Sequence, residues 1–173
     1  MLDSPQWHGP AAAFVAPIID QVAWGVAKGH GSFLTFEFGP PSLVVHDYPS
    51  RNRRSAYARG AWSLWIYCCH WRITRAGEQL AWSEDDTPTI DRAAAYLNGQ
   101  RLDAIAVNPS NDRTHFRFDF GGALETWPYG DDATEEQWSI STDAVVLSIN
   151  AACRYEIGPV DAPLSDDGWL PIV

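Results

Sequence analysis

The 173-residue chain carries a formal net charge of -10, with 46% hydrophobic and 20% charged residues, the balance of a folded globular protein. A field of that sign repels nucleic-acid phosphates, and no apolar run is long enough for a membrane span, which argues against both classes. The opening Met1-Leu2-Asp3 lacks a basic segment followed by an apolar run, and the three cysteines are odd in number; a cytoplasmic protein with reduced thiols is expected.

In chain order, a short helix is predicted from Pro10 to Ala16, stopped by Pro17. Strands follow at Val22–Lys28, Ser32–Phe38, Ser42–His46, Ser55–Arg59 and Ala61–Thr74. Turn chemistry at 28–31, at Gly39-Pro40-Pro41 and at Gly60 separates them. The clearest helix runs from Pro88 to Asn98. Thr87 can cap it, Pro88 takes its first position and Gly99 ends it, while Ile90, Ala93, Ala94 and Leu97 form one apolar stripe. Beyond it, strands are predicted at Leu102–Asn108, Thr114–Phe120, Ala123–Thr126, Gln137–Ser141 and Ala144–Ile157, the last broken near Asn150.

These elements read as one unit used twice. Ala11-Ala12-Ala13-Phe14-Val15 returns as Ala93-Ala94-Ala95-Tyr96-Leu97, Phe36-Glu37-Phe38-Gly39 as Phe118-Asp119-Phe120-Gly121, and Arg72 as Arg154. With a slip of one residue, Asp3-Ser4-Pro5 matches Asp86-Thr87-Pro88 and Ile19-Asp20 matches Leu102-Asp103. The expected fold is α+β and mostly β: an internally duplicated helix-plus-antiparallel-meander unit, its two copies packed about a pseudo-two-fold axis. The first copy spans 3–75 and the second 86–157, within a single domain 1–173 closed by a docked C-terminal tail, 158–173.

The segment Trp62-Ser63-Leu64-Trp65-Ile66-Tyr67-Cys68-Cys69-His70-Trp71-Arg72 is the densest in aromatic and reactive side chains. Read as one strand, it puts His70 and Arg72 on one face, where a buried pair needs an acid. Glu37 is the candidate, and the second copy offers Asp119 with Arg154; both pairs are expected to be structural ion pairs. Cys68 and Cys69 then point to opposite faces and behave as small hydrophobes, and no Cys-His nucleophile forms. No C-x-x-C, H-x-x-x-H or H-E-x-x-H spacing is present, so no metal or other cofactor is expected. The glycines around His30 precede no helix and are not a phosphate loop.

Gly29-His30-Gly31-Ser32-Phe33-Leu34, Trp65 to Arg72 and Phe118 to Leu124 resemble segments of uncharacterised bacterial proteins, and Leu97-Asn98-Gly99-Gln100 resembles small immunity-type proteins that neutralise toxins. The resemblance implies no catalytic residues. Acidic charge, nine tryptophans and the lack of catalytic spacing favour a non-enzymatic binding protein, immunity-like, with a basic protein partner. The sequence leaves the oligomeric state open, and uncapped edge strands would allow a homodimer. The competing reading is a small-molecule binder or enzyme whose pocket lies between the copies, lined by Trp24, Trp62, Trp65, Trp71 and His70, with His30 in its Gly-His-Gly turn a further binding candidate. A flat patch carrying acids and Trp would favour the first, and a closed aromatic pocket around His70 the second.

Overall fold

The computed structural model describes residues 7–165 and 167–172; the matched Asp3-Ser4-Pro5 lies outside them. The first half holds α1 (Gly9–Val15), β1 (Trp24–Lys28), β2 (Leu34–Phe38), β3 (Ser42–Tyr48), β4 (Arg53–Arg59), β5 (Trp62–Ile66), β6 (His70–Arg75) and β7 (Glu78–Trp82). The second holds α2 (Thr87–Leu97), β8 (Leu102–Asn108), β9 (Arg113–Phe118), β10 (Gly122–Trp127), β11 (Glu136–Ser141), β12 (Val145–Asn150), β13 (Arg154–Pro159) and β14 (Leu170–Pro171). The protein is mostly β with antiparallel sheets, an α+β fold. None of the described helices is long and apolar enough to cross a membrane.

Helix α2 forms where its proline, apolar stripe and terminal glycine predict, one residue earlier at its start. Its cap is Asp86 rather than Thr87: the carboxylate accepts from Thr89 N at 2.9 Å, and Gly99 ends the helix at φ +92°. Ile90, Ala93, Ala94 and Leu97 are all buried. The helix packs on β1 and β7, the edge strands of two different sheets.

One sheet has the order β1-β2-β5-β11-β12-β13-β14 and the other β7-β6-β10-β9-β8, while β3 and β4 pair only with each other as a separate hairpin. The sheets face each other across one core. Phe36 of β2 stacks on Phe118 of β9 with ring centroids 6.1 Å apart, and Phe116 meets Trp138 edge-on at 5.2 Å. Two fully buried tryptophans anchor it, one from each half. Trp71 donates its indole N–H to the Ser32 carbonyl at 2.7 Å, and Trp138 donates to Thr114 Oγ1 at 3.0 Å.

Neither half builds a self-contained meander. The seven-stranded sheet takes β1-β2-β5 from the first half and β11-β12-β13-β14 from the second; the five-stranded sheet takes β8-β9-β10 from the second and β6-β7 from the first. The expected single strand Ala61–Thr74 is therefore two strands in two sheets. Cys68 lies in the left-handed region at φ +47° and bends the chain from one sheet to the other. The bend also shifts the alternation: Leu64 and Ile66 point inward on β5, but Trp71 and Ile73 do so on β6. Ser42–His46, matched in sequence to Ala123–Thr126, belongs to the separate hairpin. Ala123–Thr126 instead falls in β10, which lies between β9 and β6 in the five-stranded sheet. The break expected near Asn150 is a turn in which Asn150 Oδ1 accepts from Ala152 N and Arg154 N, with Cys153 at φ +53°. The tail returns as β14 beside β13, with Trp169 buried.

Candidate functional site

Alternation on β6, β10 and β9 turns Arg72, Glu125 and His115 outward in one row of the five-stranded sheet, because Arg72 pairs with Glu125 and Glu125 with His115 in register. Glu125 is buried beneath three basic side chains. Arg72 Nε lies 2.6 Å from Oε2, Arg113 2.8 Å from Oε1 and His115 Nε2 3.3 Å from Oε1. Burial pushes the Glu125 carboxyl up. The Arg113 hydrogen bond and the charges of His115, Arg113 and Arg72 outweigh it and hold the carboxyl below its ordinary value. Arg113 also covers the Trp127 ring at 4.8 Å.

At one end of this face His70 stands among three aromatic rings, with Trp82 and Trp127 at 5.8 Å and Tyr129 at 5.4 Å between centroids. Its Nδ1 lies 3.2 Å from Ser83 Oγ and 3.8 Å from the Glu84 carboxylate. The cluster is open rather than enclosed, since Tyr129 is 52% exposed and the Glu84 side chain 60% exposed. Acidic loops flank it. In the first, Asp85 accepts from Trp82 N and Asp86 caps α2, which leaves Glu84 as the outward carboxylate. The second runs through Asp131, Asp132 and Glu135. Cys68 sits behind Tyr129: burial pushes its thiol up, opposed by the Tyr129 hydroxyl and reinforced by Glu135.

The outward side of the seven-stranded sheet differs. Register places Glu37, Ser63, Ser141 and Val146 in one row and Thr35, Trp65, Ser139, Ser148 and Glu156 in the next. Small hydroxyl side chains leave a trench about 510 Å³ in volume, walled by Tyr57 and Arg59 of β4 on one side and by Val160 to Leu164 on the other. Arg59 reaches Ser63, Ser141 and the Thr142 carbonyl, and Glu37 accepts from Ser63 Oγ at 2.6 Å and from Gly60 N at 2.9 Å. Burial pushes the Glu136 carboxyl up, Ser148 opposes this, and the charge of Glu156 adds to it.

The expected site residues separate onto different surfaces. Trp71 is core and closed to any ligand, Trp62 packs edge-on against Phe14, and Trp24 donates to the Gly39 carbonyl. His30 is exposed in its turn beside Phe33; Trp65 is 53% exposed over the trench; His70 lies on the other sheet. The space between the sheets is filled by the core, so these six residues do not line a common pocket. Neither expected ion pair forms. Glu37 and Arg72 belong to different sheets, and Arg72 takes Glu125 instead, because the bend at Cys68 removes β6 from the neighbourhood of β2. Asp119 accepts from Arg101 N, while Arg154 donates to the Trp169 carbonyl and ties down the tail. The residues missed from sequence are Trp82, Trp127, Tyr129, Glu84 and Glu125. Trp127-Pro128-Tyr129 between a strand and an acidic loop was the one visible signal.

Nothing in this arrangement is an activated nucleophile. Ser63 donates to Glu37 with no imidazole beside it, and burial pushes the thiols of Cys69 and Cys153 up, the latter to about 12. Among the described residues no three His, Cys, Asp or Glu side chains gather to hold a metal ion. No known protein family matches the chain, and neither a curated protein nor a solved structure matches it.

Proposed function

We propose that the protein is a non-enzymatic, cytoplasmic interaction protein that binds a basic protein partner through the His70 end of the five-stranded sheet, in the manner of an immunity protein. The observation that carries this reading is the open patch itself: Trp82, Trp127 and Tyr129 around His70, rimmed by Glu84 and the 131–135 loop. Rigid aromatic rings supply contact area at low entropic cost, and carboxylates around them steer a basic partner. Free Cys68, Cys69 and Cys153 support a reducing compartment. The test is calorimetry with a deca-lysine peptide carrying one tryptophan, at low and high salt. Binding is expected to weaken with salt and to fall roughly tenfold in Trp127→Ala or Tyr129→Ala. Equal affinity in both variants would exclude this surface.

We also infer that the two halves descend from one duplicated unit whose last two strands are exchanged between copies. The matching sheet orders, β1-β2-β5-β11-β12 and β8-β9-β10-β6-β7, support this. So do the paired anchors, Trp71 on Ser32 and Trp138 on Thr114. Ser32 and Thr114 are separated by the same 82 residues as Phe36 and Phe118, which stack across the core. A fragment of residues 86–173 alone should fail to fold cooperatively, since its β10 and β11 would each lose a neighbouring strand. Sharp cooperative unfolding of that fragment would count against strand exchange.

A further inference from the structure

The trench on the seven-stranded sheet lies apart from the His70 patch, and its properties do not depend on what that patch binds. Its charges are unbalanced. Glu37, Glu136 and the nearby Glu156 face a single cation, Arg59, whose guanidinium is already committed to Ser63, Ser141 and the Thr142 carbonyl. Glu37 is occupied by Ser63 and Gly60, and Glu156 accepts from Ser165. Glu136 forms no ion pair among the described residues. Beside it on β12, Ser148 is 1% exposed, yet its Oγ makes no hydrogen bond of regular geometry while lining the trench. A buried hydroxyl left in that state costs free energy that a ligand would recover. Trp65 and Tyr67 add flat aromatic surface along the same wall.

We propose that this trench binds a small organic ammonium ligand, with its charged head between Glu136 and Ser148 and its apolar body against Trp65 and Tyr67. A carboxylate beside aromatic rings suits an ammonium group, which gains a charge-assisted hydrogen bond and cation–π attraction together. The volume of about 510 Å³ suits a small molecule. A neutral polyol would satisfy Ser148 but leave the excess of carboxylates uncompensated. The groups that titrate or carry charge around the head are Glu136 on β11, Glu156 on β13, Glu37 on β2, Arg59 on β4 and Tyr67 after β5. Burial raises the Glu136 carboxyl above its ordinary value, so protonation competes with an ammonium head, and affinity falls as pH drops through that raised value.

The experiment is calorimetric titration with 2-phenylethylamine and with its neutral analogue 2-phenylethanol, at about pH 7.5 and about pH 5. Saturable one-to-one binding of the amine is expected, at least roughly tenfold tighter than the alcohol and weaker at the lower pH. Glu136→Gln should remove that preference, and Trp65→Ala should weaken both probes. Ser148→Ala serves if the glutamine variant is unfolded, and should weaken the amine several-fold. Absence of saturable amine binding, equal affinity for the alcohol, or an unchanged amine affinity in both Glu136→Gln and Ser148→Ala would each overturn the proposal.

Discussion

The two broad faces of the sandwich handle charge in opposite ways. On the five-stranded sheet, Glu125 lies beneath Arg72, Arg113 and His115, and every member of the row has a partner. On the seven-stranded sheet, Glu136 and Glu156 sit near each other with serine hydroxyls between the strands and no cation in contact among the described residues. Both faces rest on the same kind of core, so packing does not explain the contrast. A network in which each charge is matched fixes strand register and leaves little for a ligand to gain. A face with uncompensated carboxylates and a buried Ser148 hydroxyl short of a regular hydrogen bond retains that gain for something bound from solution. The His70 end belongs to the second kind, although it stands on the first sheet, because Glu84 and the 131–135 loop extend past the matched row.

Substitutions should rank accordingly. Glu125→Ala removes the one acid among three cations and should cost about 2–3 kcal/mol in chemical denaturation, somewhat less than for a fully buried network because Arg72 and His115 reach solvent. The lowered carboxyl adds a pH signature. Its stabilisation is complete above the ordinary glutamate value and is lost as pH falls through the lower folded value, so Glu125→Gln should flatten that acid limb. An unchanged limb would show that the row is not the matched network described. Glu37→Ala should cost about 1–2 kcal/mol, since it leaves the Gly60 N–H and the Ser63 hydroxyl without their acceptor.

Glu136→Gln should act with the opposite sign. A carboxyl raised by burial lowers stability as pH rises from the ordinary value through the folded one, so the amide should gain ~0.5 kcal/mol at neutral pH, after discount for partial solvent screening. A clear loss of stability there would erase the distinction between the faces. The smallest effect belongs to the exposed hairpin pair Arg54–Asp47, where Asp47→Ala should change stability by less than ~0.5 kcal/mol.

How much of this was legible in the sequence varies by element. Helix α2 announced itself because proline, apolar stripe and terminal glycine all agree, although the capping residue is Asp86, one position before the expected Thr87. The turn glycines placed most strands to within a few residues. The bend at Cys68 was hidden because both faces of Trp62–Ile73 are apolar, and a pattern without a polar side has no phase to lose. The ion pair assigned to Glu37 and Arg72 inherited that error, because its geometry presumed an uninterrupted strand, and the pair Asp119–Arg154 was carried over from it through the repeat. Of the residues matched at an offset of 82, Phe36 and Phe118 stack on each other across the core, whereas Arg72 and Arg154 lie on different sheets with unrelated partners. Of the patch, His70 was visible and its neighbours were not. Trp82, Trp127 and Tyr129 reach it from other strands and a loop, and only strand pairing brings them there.

The most direct test of the interaction reading is a nuclear magnetic resonance titration of the full chain with the tryptophan-bearing deca-lysine peptide, following the nine indole N–H signals and the backbone amides. Shifts are expected to concentrate on Trp82, Trp127, Tyr129, His70 and Glu84, while Trp71 and Trp138 stay still in the core, and Glu84→Gln combined with Glu135→Gln should reduce them. Shifts spread evenly over the acidic surface, or centred away from the His70 end, would contradict the proposed interface.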